Sequence, residues 1–189
     1  MPSFTFDTNC IIALENNEPA APAIRALVDA HERGNANVSV VAISASERQK
    51  NRQGLRDFAE FRQRLTALGL GTLEILRPIF YWDVGFLDWS YWADDEAMLT
   101  LERDIHEVLF PAAPFLWSDF CVANGLDPEA PLNTKWRNHK CDVLALWSHI
   151  HDARDVFVTN DGDFHKRRPA LIALGAGRIE KAETAVTLV

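Results

Sequence analysis

The sequence lacks several features that would place it quickly in a class. Only three of its 189 residues are Cys (Cys10, Cys121 and Cys141), and no two of them form a CxxC pair. This scarcity argues against a disulfide framework or a structural zinc site and is typical of the reducing cytosol. No apolar run reaches the roughly 18 residues of a membrane span, and MPSFTFDTN has neither the basic region nor the apolar core of a secretion signal. We therefore expect a cytoplasmic protein without membrane contact.

Positive charge is also scarce. The chain has 19 Lys and Arg against 27 Asp and Glu, for a net charge of −8. Residues 83–107 hold eight acids and one base, so this segment carries −7 and the rest of the chain about −1. In that remainder, basic residues cluster at 48–56, 135–140 and 166–168. Each cluster alone is typical of a solvated helix face, but all three flank the acids discussed below, which favours a nucleic-acid contact.

Apolar strand patterns alternate with helix patterns along most of the chain. The predicted strands, in chain order, are SFTF, NVSVVAIS, TLEIL, DVFVT and, at the end, AVTLV. Helices are predicted over 10–17, 18–34, 44–68, 142–150 and 168–175, the third opened by the capping-box pattern SASE. This alternation predicts a single α/β domain over 1–189 with a mostly parallel sheet.

Residues 77–135 depart from the alternation. The segment is acidic in its middle, is interrupted by Pro111 and Pro114, and is rich in aromatic residues. These aromatic residues are Phe80, Tyr81, Trp82, Phe86, Trp89, Tyr91 and Trp92. We expect a mainly helical insertion with a small core of its own, in which the aromatic side chains pack. A base-stacking platform is the alternative, and the nearby acidity counts against it.

Acidic side chains gather where predicted strands end. Asp7 directly follows FTF, Asp161 follows VFVT, and Glu47 lies just beyond VVAIS. Asp142 stands near the start of the helix predicted at CDVLALW, where backbone N–H groups favour an anion. Ligand sites of parallel sheets form beyond the carboxyl ends of the strands, so we expect these four acids to face one crevice.

Each acid also has a local explanation in a helix cap or a turn. Asp7 could cap the following helix, with Asn9 in the turn, and Glu47 could complete a capping box with Ser44. Asp142 could be an acid in the first turn of a helix, and Asp161 and Asp163 could form a sharp turn with Gly162. Together, however, four neighbouring carboxylates repel, and either protonation with raised pKa values or a divalent cation relieves the repulsion. A carboxylate cluster without Cys or an obligatory His favours Mg²⁺ or Mn²⁺ over Zn²⁺.

Four stretches in this order, FTFDTN, ISASE, CDVLALW and VFVTNDGDF, resemble the motifs of the PIN-domain nuclease family over residues 1–76 and 138–175. The resemblance implies a three-layer α/β/α sandwich and an Mg²⁺- or Mn²⁺-dependent endoribonuclease site. The matching positions are the acids Asp7, Glu47, Asp142 and Asp161, the polar residues Asn9, Thr159 and Asn160, and the accessory acid Asp163. Many members are VapC-like toxins, often dimeric, so an antitoxin protein and a homodimer are further expectations. The 77–135 insertion departs from the small toxins.

The expected mechanism follows from this arrangement. Asp7, Asp142 and Asp161 would hold one metal ion directly, with Glu47 and Asp163 acting through water or a second ion. The metal would lower the pKa of a water molecule and offset charge on the scissile phosphate. The resemblance implies products with a 5′-phosphate and a 3′-hydroxyl.

Further residues are expected around the metal. Thr159 would orient Asp161 or the water from outside the metal's direct ligands. Four cations are assigned to flanking RNA phosphates, namely Arg137, Lys140, Lys166 and Arg168. His139 and His165 are expected to be phosphate neighbours or surface residues rather than catalytic bases.

Rival functions fit the sequence less well. A haloacid-dehalogenase-type phosphatase needs a second Asp where Asn9 stands, and a receiver domain needs a paired acidic N-terminus where FTFDTN supplies one acid. The DGD of residues 161–163 lacks the Gly and Glu positions of an EF-hand loop. The strongest rival is a non-catalytic PIN-like module that binds RNA or protein, for which four mutually repelling acids have no purpose.

Overall fold

A computed structural model describes residues 1–47 and 57–189. The described strands are β1 (Ser3–Phe6), β2 (Asn37–Val41), β3 (Glu74–Leu76), β4 (Val156–Val158) and β5 (Arg178–Glu180). They form one sheet in the order β3-β2-β1-β4-β5, and every neighbouring pair is parallel. The central strand β1 therefore lies between β2 and β4, with Phe4 opposite both Val38 and Val156.

Helices cover both faces of this sheet. Those in the described residues are α1 (Thr8–Glu15), α2 (Ala21–Glu32), α3 (Phe58–Ala67), α4 (Glu96–Leu109), α5 (Trp117–Asn124), α6 (Thr134–His151), α7 (Gly162–Lys166), α8 (Arg168–Ala173) and α9 (Ala182–Ala185). One core contains buried residues of α1, α2, α3 and α9, and a second core contains those of α4 to α8. The predicted three-layer α/β/α fold with a parallel sheet is confirmed.

The side-chain alternation of the strands divides residues between the two cores. Phe4 and Phe6 of β1 point into the first core, and Phe157 of β4 points into the second. Thr5 also points to the second side, where its hydroxyl lies 2.9 Å from Nδ1 of the buried His149 on α6. Strands buried on both faces are expected in a parallel sheet covered by helices.

The predicted last strand is wrong. Residues 182–185 of the chain form α9, and a 3₁₀ turn over Val186–Leu188 follows, whereas the fifth strand is the preceding segment Arg178–Glu180. Ala182 and Ala185 are three positions apart and both enter the first core, so helical spacing buries both. A three-residue strand with one apolar residue gives too little alternation to be found in the sequence.

The helix predicted over 44–68 is only partly present in the described residues. Ala42–Ala45 form a 3₁₀ turn, and α3 begins at Phe58, capped by Asp57, whose carboxylate accepts from the N–H of Glu60 at 3.0 Å. The capping box opened by Ser44 is therefore wrong. The remainder of this prediction, with the basic residues of the 48–56 cluster, lies outside the described residues.

The 77–135 segment contains α4 and α5 between longer non-helical stretches, and the expectation that it has a core of its own is wrong. Ile105 and Phe120 from the segment share the second core with Trp147 of α6. Trp89 stacks on Phe58 of α3 with ring centroids 4.4 Å apart. The segment is thus joined by packing to helices on both faces of the sheet.

Lys140 occupies the junction between α4 and α6. Only 1% of its surface is exposed, and its Nζ lies 2.8 Å from Oε1 of Glu102. The hydroxyl of Tyr81 donates to the other carboxylate oxygen at 2.6 Å. The assignment of Lys140 to an RNA phosphate is therefore wrong, because its charge is buried and paired within the protein.

This buried pair predicts a large effect on stability. Lys140→Met leaves the Glu102 carboxylate buried without its cation, which lowers the free energy of unfolding by about 3–5 kcal/mol. Lys140→Met combined with Glu102→Leu recovers most of this loss, since the uncompensated charge is gone. Urea denaturation of the two variants and of Lys135→Met, an exposed position on the same helix, tests the prediction. A single Lys140→Met variant as stable as the wild type would contradict it.

Candidate active site

Asp7 lies at the centre of the carboxyl edge of the sheet. It follows β1, its backbone N–H donates to the Val158 carbonyl of β4 at 3.0 Å, and it caps α1. Its side chain is 4% exposed. One carboxylate oxygen accepts from the Thr8 N–H at 2.7 Å, and the other accepts from Asn9 Nδ2 and from the Thr159 hydroxyl, each at 2.6 Å. These three bonds fix the orientation of the carboxylate.

Thr159 and Asn9 join the ends of β1 and β4. The Thr159 hydroxyl donates to Asp7 and accepts from Asn9 Nδ2 at 2.8 Å and from the Asp161 N–H at 3.0 Å. Asn9 Oδ1 accepts from the Asn160 N–H at 3.1 Å, while the Asn160 residue itself is exposed. The Thr159 hydroxyl thus orients Asp7 rather than the Asp161 carboxylate, and Asn160 takes part through its backbone.

Removing the Thr159 hydroxyl should loosen this junction. Thr159→Val has nearly the same volume but removes the acceptor of the Asp161 N–H, one of the two acceptors of Asn9 Nδ2, and one of the three donors to Asp7. We expect a loss of about 1–3 kcal/mol in the free energy of unfolding. Thr159→Ser keeps the hydroxyl and should lose much less, so thermal denaturation of the two variants separates the hydrogen bonds from packing. Equal losses in both would contradict this role.

Glu47 reaches the site from the end of β2. It follows the 3₁₀ turn, and the Thr8 hydroxyl donates a hydrogen bond to its side chain. The hydroxyls of Thr8 and Ser44 also share a hydrogen bond of 2.9 Å. Sequence reasoning missed Thr8, although its place directly after Asp7 in FTFDTN was the available signal. Thr8 links the segments that carry Asp7 and Glu47.

Asp142 lies in the middle of α6, not near its start. The helix begins at Thr134 and is capped by Asn133, whose side chain accepts from the Lys135 N–H at 2.9 Å. The predicted support from helix N-terminal N–H groups is therefore wrong. Among the described residues, no group donates a hydrogen bond to the Asp142 carboxylate. This acid thus has none of the local roles that a cap or a turn provides.

The four acids form one electrostatic cluster. Burial raises the pKa of Asp7 from 3.8 to about 7, with Glu47 and Asp161 adding to the shift. Burial also raises the pKa of Glu47, which the Thr8 hydrogen bond opposes and Asp161 reinforces. The pKa of Asp142 is raised well above its usual range by burial and then by the neighbouring carboxylates, led by Asp7 and Glu47. The structure therefore brings the predicted quartet within mutual electrostatic reach.

The donor set fits a hydrated hard cation. All four side chains offer oxygen, and the buried Oγ of Ser46, next to Glu47, has no hydrogen-bond partner in the part of the chain that the structure describes. Across residues 1–47 and 57–189, no three His, Cys, Asp or Glu side chains are placed to bind one ion together. Mg²⁺ commonly takes one or two carboxylates and keeps several waters, so the oxygen donors of this cluster are of the kind that it binds. Direct coordination by Asp7, Asp142 and Asp161 stays a prediction.

Asp163 and Gly162 differ from their expected roles. The Asp161 carboxylate caps α7 by accepting from the Asp163 N–H at 2.6 Å. Gly162 is the first residue of that helix and does not have a positive φ. The prediction that the chain turns sharply at Gly162 because it is a glycine is therefore wrong. The Asp163 carboxylate lies 3.3 Å from both Lys166 and Arg167. Two cations thus already balance the charge of this accessory acid.

The other three cations predicted to contact RNA phosphates differ in their partners and in their exposure. Arg137 donates from Nε to the Ser46 carbonyl at 3.0 Å. Arg168 pairs with Glu180 at 2.5 Å, whereas most of the Lys166 side chain is exposed. Lys166 is therefore the predicted phosphate contact that can turn most freely toward solvent.

Both predicted histidines are partly buried. His165 Nε2 lies 2.9 Å from the Thr159 carbonyl, and the His139 ring stacks on Phe110 at 3.9 Å. Nδ1 of His139 is buried without a hydrogen-bond partner. Their surroundings make both rings part of the packing beside the acids, and the expectation that they are phosphate neighbours or surface residues rather than catalytic bases stays a prediction.

Comparison of the chain with protein-family models, with curated proteins and with solved structures finds no match. What the structure supports is a parallel five-stranded sheet between layers of helices, with acids at its carboxyl edge. Within the described part of the chain, no helix has the length and apolar character to cross a membrane.

Proposed function

We propose that this protein is a PIN-like ribonuclease that requires a divalent metal and hydrolyses RNA phosphodiester bonds at Asp7, Glu47, Asp142 and Asp161. One observation carries the proposal. Asp142 stands in mid-helix with no hydrogen-bond donor among the described residues, and burial, followed by four neighbouring carboxylates, raises its pKa. A neutral binding surface has no use for such a carboxylate, whereas a cation site needs it.

The carboxylates of the site differ in how many hydrogen bonds hold them in place. Asp7 is fixed by three hydrogen bonds and Glu47 by the Thr8 hydroxyl, so both present oxygen atoms at defined positions. Within residues 1–47 and 57–189 no hydrogen bond restrains the Asp142 carboxylate, and we assign it to the cation. Mg²⁺ or Mn²⁺ bound at this cluster would offset phosphate charge and activate water for attack. Thr159 and Asn9 keep the ends of β1 and β4 in register, and thereby hold Asp7 and Asp161 together.

The proposal extends to substrate and partners. Arg137 precedes Asp142 on α6 and Lys166 follows Asp161 on α7, and we propose these two cations as the contacts to RNA phosphates. The resemblance to VapC-like toxins makes an antitoxin protein and a second copy of the chain the proposed partners. The three free, buried cysteines suit a reducing cytoplasmic compartment.

One observation favours the alternative, a non-catalytic PIN-like module that binds RNA or protein. Asp7 and Asp161 both cap helices and so have structural roles without a metal. This explanation covers two of the four acids and leaves Asp142 without a role. The nuclease is therefore the better supported function.

Incubation of purified protein with a mixed pool of structured RNA tests the proposal. We expect cleavage with Mg²⁺ or Mn²⁺, none with EDTA, and fragments that carry 5′-phosphate ends. Metal-dependent thermal stabilisation without cleavage would retain the cation site and direct attention to the substrate or an inhibitory partner. Neither cleavage nor stabilisation would overturn the nuclease and make the binding module the leading function.

A further inference from the structure

Two tryptophan side chains lie at the surface near the start of the 77–135 segment. Trp82 is 75% exposed and Trp92 is 63% exposed. Both contact the half-buried ring of Phe80, whose centroid lies 5.1 Å from that of Trp82 and 5.2 Å from that of Trp92. We call these three rings the tryptophan patch. A contiguous apolar surface of this kind commonly marks an interaction site.

Hydrogen bonds and a buried neighbour hold the patch in place. The N–H of Phe80 donates to the Tyr91 carbonyl, and the N–H of Tyr91 donates to the Pro78 carbonyl, each at 2.8 Å. Ile79, between Pro78 and Phe80, is 1% exposed and belongs to the second core. The two segments that carry Phe80 and Trp92 are therefore joined to each other and anchored in the protein. A surface that is ordered before association loses less conformational entropy on binding, so the patch is suited to a partner.

Acids flank the patch along the chain. Asp83 directly follows Trp82, and Asp94 stands two positions after Trp92. Residues 80–96 contain no Lys or Arg, and their five acids are Asp83, Asp88, Asp94, Asp95 and Glu96. All five are exposed, and no salt bridge involves any of them in the part of the chain that the structure describes. The exposed indoles thus stand beside negative charge that no described ion pair balances.

This charge selects the chemistry of the partner. RNA and anionic membranes carry the same sign of charge as the acids and are repelled. A cationic side chain is attracted by the carboxylates and also binds the face of an indole ring. Arginine suits both contacts, because its planar guanidinium stacks on aromatic rings and pairs with a carboxylate through two N–H groups. A basic protein segment is therefore complementary to this surface.

We propose that the tryptophan patch and its flanking acids dock an arginine-rich segment of a partner protein. The patch contains none of the four acids of the proposed cation site, so this proposal does not depend on RNA cleavage. Tryptophan and arginine are among the residues that supply most of the binding free energy in protein interfaces. The negative charge around the patch also accelerates the encounter with a basic partner.

Fluorescence anisotropy with the full-length protein at physiological ionic strength tests the docking surface. The probes are a labelled peptide of Arg-Gly repeats, a Lys-Gly peptide of equal length, and a single-stranded oligoribonucleotide in EDTA. The variants are Trp82→Ala and Trp92→Ala, with Val122→Ala as the control, since Val122 is 83% exposed and lies on α5. These substitutions leave the charge of the protein unchanged and affect only exposed side chains.

We expect Trp82→Ala and Trp92→Ala each to weaken binding of the Arg-Gly peptide by roughly 2- to 30-fold, the effect of one lost cation–π contact. Val122→Ala should bind the peptide like the wild type. The Lys-Gly peptide should bind the wild type more weakly than the Arg-Gly peptide, because an ammonium group neither stacks nor pairs through two donors.

A second pair of variants separates local charge from net charge. Asp83→Asn with Asp94→Asn removes two negative charges beside the patch, and an asparagine tolerates the positive φ of 58° at position 83. Glu32→Gln with Glu183→Gln removes two exposed charges from α2 and α9, which pack on the first core. Both proteins have the same net charge. We expect the first to bind the Arg-Gly peptide about threefold or more weakly than the second, and equal affinities would contradict the docking surface.

Three other results would overturn the proposal. Equal affinities of wild type, Trp82→Ala and Trp92→Ala for the Arg-Gly peptide would show that the rings take no part. Binding of the oligoribonucleotide that Trp82→Ala abolishes would assign the patch to nucleic acid. Wild-type dimers in sedimentation velocity that both variants disrupt would show that a second copy of the chain covers the patch. None of these results depends on cleavage, so failure of the nuclease and failure of the docking surface are distinguishable.

Discussion

Asp142→Asn should lower the rate of metal-dependent RNA cleavage by about 100-fold or more. Asparagine keeps the shape of the side chain and removes the charge that the cation needs. A bound metal contributes several kcal/mol of charge stabilisation, and each 1.4 kcal/mol corresponds to about tenfold in rate. Asp142 has no hydrogen-bond donor among the described residues, so the substitution breaks no described contact, and the folded protein should remain intact.

Asp152→Asn is the matched control. Asp152 follows the last turn of the same helix α6 and is exposed. The Asp152→Asn protein should cleave RNA at the wild-type rate in a single-turnover assay with Mg²⁺. An Asp142→Asn protein that is folded by circular dichroism and cleaves as fast as Asp152→Asn would remove Asp142 from the site.

The raised pKa values of the acids should make the metal-free protein lose stability as the pH rises from about 4 to 7, against the gain from His149, whose pKa burial lowers to about 4. The pKa of Asp7 is about 7 in the folded protein and 3.8 is its ordinary value. Between these values the folded state binds more protons than the unfolded state, so the free energy of unfolding falls with pH. For Asp7 alone the loss approaches about 4 kcal/mol above pH 7, at about 1.4 kcal/mol per unit. The raised pKa values of Glu47 and Asp142 add to the same trend.

A divalent cation should reverse this loss, because it binds the ionised carboxylates of the folded state. We expect Mg²⁺ to raise the melting temperature at pH 8 and to leave it nearly unchanged at pH 5. In EDTA, Asp142→Asn should melt at a higher temperature than the wild type at pH 8, since one repelling charge is gone. A melting temperature of Asp142→Asn that does not exceed that of the wild type at pH 8 in EDTA would show that the acids do not repel each other in the folded protein.

The acids at strand ends could be predicted from the sequence because their placement follows from local pattern and one topological rule. Apolar runs locate β1 and β4, and parallel strands carry their carboxyl ends to the same edge. Asp7 and Thr159 therefore had to lie close together once both strands were assigned. The hydrogen bond between them at 2.6 Å is the outcome of that rule.

Other parts of the site depend on contacts between distant residues and could not be predicted. The first half of α6, TKWRNHKC, has no apolar periodicity, and the packing of Trp136 and the pairing of Lys140 with Glu102 stabilise it as a helix. The basic cluster at 135–140 gives no sign in the sequence that Lys140 is buried and paired with Glu102, 38 positions away. The start of α6, and with it the position of Asp142 in mid-helix, depends on these tertiary contacts.

Binding of Mn²⁺ at pH 8, followed by the loss of the free-ion signal in electron paramagnetic resonance, tests the central claim most directly. That claim is that Asp7, Glu47, Asp142 and Asp161 together form a divalent-cation site. We predict binding by the wild type and by Asp152→Asn, at least tenfold weaker binding by Asp142→Asn, and competition by Mg²⁺. Equal Mn²⁺ affinity in all three proteins, or no binding by any of them, would contradict the claim.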